Sequence, residues 1–271
     1  MNPALYVLIV CSALLAYYLI RRFRSERFEH KPFPMEWERI INANVPIYKK
    51  LPVALKVQLR QLIKRFMQKK QFHGCAGLVI TDEIRLTIAA EACLLLLNRP
   101  TNEYYYLQHI LVYPAAYVAK QKGSNEHGIV EELQRSLAGE SWTQGKVILS
   151  WDDVMKGSRN FTDGHNVVLH EFAHQLDQES GSANGAPLLG PNSSYQSWAQ
   201  TLSHEFEKLR HASAGGLHTV LDYYGATNPA EFFAVATETF FEKPDALKHR
   251  HPALFNELKK FYAVDPSEWH R

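Results

Sequence analysis

The run His170-Glu171-Phe172-Ala173-His174 constrains this chain more than any other feature. Residues four apart on an α-helix share a face, so both imidazoles can meet one ion. Val167, Val168, Leu169, Phe172, Ala173 and Leu176 are apolar and argue that this helix is buried. Imidazole and carboxylate groups among such neighbours need partners, and a metal supplies one. Zn2+ suits neutral imidazole nitrogens, and a catalytic zinc takes three protein ligands and keeps one position open. Glu171, one step round the helix, is placed to take a proton from a water there rather than to be the third ligand. Asp177 reads either as a carboxylate that orients a ligand imidazole or as a plain helix-end Asp.

The third ligand must come from downstream. Candidates are His204, Glu205, Glu207, His211, His218, Asp222, Glu231 and Glu238. In NPAEFFAVATETFFEKP (228–244), Asn228 reads as an N-cap, Pro229 as the first helical residue and Glu231 as the third. Helix capping alone could therefore explain Glu231. Glu238 lies two turns further on the same face. Spacing alone leaves Glu231 and Glu238 level as ligands.

A chain of 271 residues with 46% hydrophobic and 21% charged residues can bury a sizeable core, which excludes a disordered chain or a fibre. Thirty Lys and Arg against 28 Asp and Glu give no electrostatic footprint for nucleic acid. Three cysteines make no disulfide framework. Cys75 and Cys93 read as small buried apolar residues. His73, His109, His127 and His165 lack a second ligand at helical spacing and read as structural or surface groups, and His249 and His251 read as solvated.

Residues 1–20 carry no charged side chain, and the segment from Ala4 to Ile20 is near the lower limit for a bilayer span. The basic run RRFRSERFEHK follows, which predicts a single-pass anchor with the remaining chain cytoplasmic. The organisation expected is an anchor over 1–20, a basic tether over 21–34 and one domain over 35–271. Helical spacing predicts helices at 52–70, with Pro52 in its first turn, and at 82–98, capped by Thr81 and stopped by Pro100. Further helices are expected at 163–178, opening at Asp163, and at 195–211, 229–242 and 245–262. Residues 104–118 and 145–151 read as strands, and 180–194, with Gly181, Gly185 and Gly190, as a loop. The fold class is α+β, dominated by helices, with a small sheet.

Four ordered segments, ITDEIRLTIAAEACLLLL (80–97), VILSWDDV (147–154), HEFAHQLD (170–177) and NPAEFFAV (228–235), together resemble the Mlc titration factor A family of zinc-dependent peptidases. The resemblance spans about residues 35–265. It implies a zincin-like domain related to the catalytic core of anthrax lethal factor. It also implies zinc ligands His170, His174 and Glu231, which leaves Glu238 to an outer or packing role. On this reading Glu171 is the general base that passes its proton to the leaving amine. Tyr224, or alternatively Tyr223, stabilises the oxyanion, and the strand at 146–151 runs along the cleft and pairs with an extended peptide. The resemblance leans toward aminopeptidase activity. The rival reading is a regulatory protein that captures a transcriptional repressor, with a latent or structural zinc site. Glu171 has no purpose in a purely structural site, and only three good ligands are found, which favours the enzyme.

Overall fold

The computed structural model describes residues 7, 9–16, 18, 31–99, 103–124, 130–137, 139–142, 145–191 and 193–269. In chain order, helices α1 (Met35–Asn44), α2 (Ile47–Lys50) and α3 (Val53–Lys69) lead into strand β1 (Gln71–Gly74) and helix α4 (Asp82–Leu94). Strands β2 (His109–Tyr113), β3 (Tyr117–Ser124), β4 (Val130–Leu137), β5 (Gly139–Trp142) and β6 (Lys146–Ser150) follow. Then come α5 (Trp151–Arg159), α6 (Val167–Asp177), α7 (Tyr195–Gly215), α8 (Pro229–Glu242), α9 (Pro244–Arg250) and α10 (Pro252–Tyr262). Helices dominate, and the α+β expectation holds.

One sheet has the order β1-β2-β6-β5. Its first three strands are parallel, and β5 runs antiparallel to β6. β3 and β4 form a separate antiparallel pair. The strand expected to receive a substrate is corrected here. β6 is hydrogen-bonded on both edges, by β2 and β5, so it has no free edge to offer. β5 is the end strand, and it lies against α6.

α4 is one of the buried helices of the core. Leu86, Ile88, Ala89, Ala90, Ala92 and Cys93 are all fully buried, because the run from Leu86 to Leu94 is almost wholly apolar. Thr81 caps it through its side-chain oxygen, which accepts from the Ile84 N–H at 3.3 Å. α3, α6 and α1 pack around it. Cys93 is buried as expected, whereas Cys75 is only partly so.

Several boundaries move for local physical reasons. Pro52 stands just before α3 as its N-cap, not inside it. The motif helix opens at Asn166 rather than at Asp163: Asn166 Oδ1 accepts from the Leu169 N–H, while Asp163 Oδ1 accepts from the His165 N–H in the preceding turn. The expected 245–262 helix is two helices. Pro252 biases the residue before it away from the helical region, and His251 sits there at φ −137°, ψ 59°. That break also overturns the reading of His251 as solvated. It is buried, with Nδ1 at 2.7 Å from Glu205 Oε2.

The membrane anchor is corrected as well. Among the described residues no helix is long and apolar enough to cross a membrane. The helical residues described near the N-terminus are 7, 9–16 and 18. The single-pass placement with a cytoplasmic body loses its support. The basic run at 21–30, Pro100 and His127 lie outside the described residues.

Candidate metal centre

α6 and α8 pack against each other, and their contact is where the candidate residues meet. Both helices begin with a strong stop-and-start signal. Asn166 caps α6, and Asn228 Oδ1 accepts from the Glu231 N–H at 3.0 Å, with Pro229 in the first turn of α8. These caps fix where each helix starts, and so which side chains reach the crossing.

His170 and His174 project from the same face of α6, with ring centroids 4.9 Å apart and planes at 79°. Glu231 Oε2 lies 3.0 Å from His170 Nε2 and 3.4 Å from His174 Nε2. One donor atom from each of His170, His174 and Glu231 lies within 4.8 Å of the others, the only such trio of His, Cys, Asp or Glu among the described residues. Glu238 goes elsewhere on the same imidazole: its Oε1 is 2.7 Å from His170 Nδ1. The structure thus separates two carboxylates that sequence spacing could not. Of the other candidates, Glu205 is taken by His251, and Asp222 Oδ1 accepts from the Tyr224 N–H.

The donor set fits a divalent metal such as Zn2+. Two imidazole Nε2 atoms and a carboxylate oxygen converge, and a second carboxylate holds the outer nitrogen of His170, the arrangement that orients a ligand imidazole. Charge points the same way. Three carboxylates, Glu171, Glu231 and Glu238, crowd two imidazoles in a buried setting. Burial opposes charge on Glu231, yet hydrogen bonds from His170 and His174 hold its carboxyl well below the usual range. Burial also opposes an imidazolium at His170, but Glu238 and Glu231 outweigh it and raise its pKa. The pocket is built to stabilise positive charge at the point where the three donors meet.

Glu171 is buried and lines the same cleft, a cavity of about 490 Å3 that His174, Asn184 and Tyr224 also border. Its Oε2 has no hydrogen-bond partner among the described residues. Burial raises its pKa to about 7, opposed by His170 and His174 and reinforced by Glu231 and Glu238. A depression of about 650 Å3 adjoins on the Asp153, His165 and Asp222 side.

The two tyrosines separate in space. The Tyr224 ring lies 5.9 Å from that of His170. The Tyr223 hydroxyl instead donates to the Leu217 carbonyl, away from the cleft. Asp177 does not turn to an imidazole. Its Oδ2 accepts from the Gly185 N–H at 2.7 Å, and the Gly185 carbonyl accepts from Trp198 Nε1 at 2.9 Å. Gly185 has φ +79°, and a Cβ there would meet the Pro229 carbonyl oxygen at 2.6 Å. The expected loop is therefore tied to the start of α8, next to Glu231.

Sequence reasoning missed Glu242. Its Oε2 accepts from the backbone N–H groups of Gly164 (2.8 Å) and His165 (3.2 Å), which shapes the turn entering α6. Burial pushes its pKa up to about 9, with Glu91, Asp163 and Glu238 adding to the rise and the Gly164 N–H opposing it. The unfolded chain releases this proton near pH 4.5, whereas the folded chain holds it to about pH 9. The unfolded state therefore binds fewer protons in that window, and stability falls as pH rises through it. Glu242→Gln should flatten the decline, by at most about 1.4 kcal/mol per pH unit. Urea melts at a series of pH values test this. Parallel curves for variant and wild type would refute it.

Comparison with known proteins bears on what this site does. The family model for the glucose-regulated metallo-peptidase M90 matches residues 20–263. The chain is 44% identical over 245 residues to an uncharacterized protein, slr2042, of Synechocystis sp., covering 90% of this chain and 89% of that one. It is 32% identical over 235 residues to Mlc titration factor A of Klebsiella pneumoniae (strain 342), covering 86% and 87%. With Mlc titration factor A of Yersinia pestis (strain Pestoides F) it shares 28% identity over 234 residues, 85% of each chain.

Proposed function

The chain belongs to the glucose-regulated metallo-peptidase M90 family, and from that premise we propose a zinc-dependent peptidase in which His170, His174 and Glu231 hold the metal and Glu171 is the general base. The observation that carries this reading is a three-donor cluster beside a buried carboxylate whose second oxygen is uncommitted in the same cleft. Residues 35–271 constitute the peptidase domain, of zincin-like type.

Bound zinc supplies Lewis acidity and lowers the pKa of a water toward about 7. Glu171 accepts the proton of the attacking water and returns it to the leaving amine, which needs a carboxylate poised near neutral pH. Glu238, through Nδ1 of His170, fixes the tautomer that leaves Nε2 free to ligate. Tyr224 is the donor toward the developing oxyanion, since its ring borders His170 while Tyr223 is turned to Leu217. An extended peptide would add to the outer edge of β5, the strand beside α6. Cleavage next to a free N-terminus, the aminopeptidase mode, is the form of activity to test first.

The full chain is expected to hold one zinc and to hydrolyse peptide substrates, with activity lost on chelation and restored by zinc. One tightly held zinc with no turnover across a broad peptide library would overturn the enzymatic reading. Tyr224→Phe should lower kcat by about 10- to 100-fold with zinc content unchanged. Unchanged kcat would remove Tyr224 from the chemistry.

A second reading rests on the name of the Klebsiella and Yersinia relatives, which records titration of Mlc. Repressor capture by this chain would survive Glu171→Gln, whereas hydrolysis would not. A pull-down of purified repressor with that variant separates the two.

A further inference from the structure

Glu91 is the least expected residue of the central helix. It is a carboxyl at 0% exposure between Ala90 and Ala92, in a run of buried apolar residues on α4. It lies in the 80–97 segment, which the proposed chemistry leaves unused. Its Oε1 accepts from Asn166 Nδ2 at 3.1 Å. Asn166, itself 1% exposed, commits all of its polar groups. Its side-chain oxygen caps α6 at the Leu169 N–H (3.0 Å), and its carbonyl accepts from the His170 N–H (2.9 Å). Its own N–H donates to Glu238 Oε2 at 2.6 Å, and the other oxygen of Glu238 is the one 2.7 Å from His170 Nδ1. An unbroken chain of buried polar contacts therefore runs from Glu91 through Asn166 and Glu238 to the imidazole of His170.

Packing holds the hub from another side. A Cβ on Gly157 of α5 would stand 3.0 Å from Asn166 Cα, so that helix approaches Asn166 as closely as a glycine allows. Glu91 Oε2 makes no hydrogen bond of full geometry among the described residues, but the Ser158 hydroxyl is near enough to favour its charged form. Burial raises the Glu91 pKa to about 8, opposed by Asn166 and Ser158, so the group is mostly a neutral acid at pH 7. A buried polar group in an apolar helix costs stability unless it is fully partnered, and it lowers the quality of packing there. The hydrogen bond that its Oε1 accepts from Asn166 leads to the metal site.

We propose that Glu91 and Asn166 are positioning residues that hold Glu238 and His170 in ligating geometry, so that the core helix α4 sets the affinity of the metal centre. The inference rests on the reading of His170 as a metal ligand. A neutral side chain of the same shape can replace Glu91, because the contact it makes is acceptance from an amide. Glu91→Gln keeps that acceptor, whereas Glu91→Leu fills the volume and removes it. Asn166→Ser keeps a helix cap and the backbone N–H to Glu238 but deletes the donor to Glu91.

The test is Zn2+ affinity of the full chain, by competition with a chromophoric chelator, under conditions where circular dichroism shows each metal-free variant folded. Glu91→Gln should bind within about threefold of wild type, and Glu91→Leu and Asn166→Ser should bind about 10- to 100-fold more weakly. A purely structural role would shift the melting temperature of the metal-free protein and leave zinc affinity alone. If Glu91→Leu fails to fold, Asn166→Ser decides. Wild-type affinity in the Leu or Ser variant, or equal weakening in the Gln and Leu variants, overturns the positioning role while the metal reading stands. No zinc binding by wild type overturns the metal reading and this inference with it.

Discussion

Glu171→Gln is expected to abolish turnover and leave the metal in place. The side chain is 4% exposed, so its charge state is set by its neighbours rather than by water. Its Oε2 is uncommitted among the described residues, and the donor trio is formed without it. Glutamine preserves size and shape but cannot take a proton. Loss of a general base typically costs about 10^2- to 10^4-fold in kcat. Zinc stoichiometry should stay at one, because none of the three ligand atoms belongs to residue 171. Metal analysis and peptide hydrolysis on the same preparation check both halves. An active Gln variant would end the base assignment, and a metal-free one would make Glu171 part of the binding site.

The second large effect separates the two acids of α8. Glu231→Ala should leave a chain that loses zinc on dialysis, while Glu238→Ala should retain it with affinity weakened by about 10- to 100-fold. Glu231 meets both Nε2 atoms, whereas Glu238 meets only the outer nitrogen of one ring and the Asn166 N–H. Removing a ligand deletes one of three donors. Removing an orienting carboxylate leaves all three but lets the His170 ring choose the wrong tautomer or turn. Chelator competition distinguishes the cases, and the reverse order of affinities would exchange the two roles.

Much of the architecture is local and was therefore legible. Thr81, Asn228 and the Gly/Pro-rich 180–194 segment mark element ends through backbone hydrogen bonds that need only their immediate neighbours. What failed failed for want of non-local information. By local pattern the turn 163–166 reads as the first turn of a helix. Its N–H groups are instead drawn to Glu242 and Glu238, more than 70 residues away in sequence. His251 reads as solvated because its stretch is charged, but Glu205 of α7 meets it. The terminal apolar run suggests a membrane span by composition, but no described helix is both long and apolar enough to cross a membrane.

The sequence by itself determined the paired histidines and their neighbouring glutamate, because an i, i+4 pair shares a face in any α-helix. Among its downstream candidates it also put Glu231 and Glu238 two turns apart on the same side of one helix. Spacing leaves the two level, the family resemblance points to Glu231, and only the tertiary structure shows where each carboxylate goes. The way α6 crosses α8 determines which carboxylate reaches Nε2 and which reaches Nδ1 of the same ring. That crossing is set by packing over the whole core, including a buried acid on α4 contributed from 75 residues away in the chain. No local pattern records it.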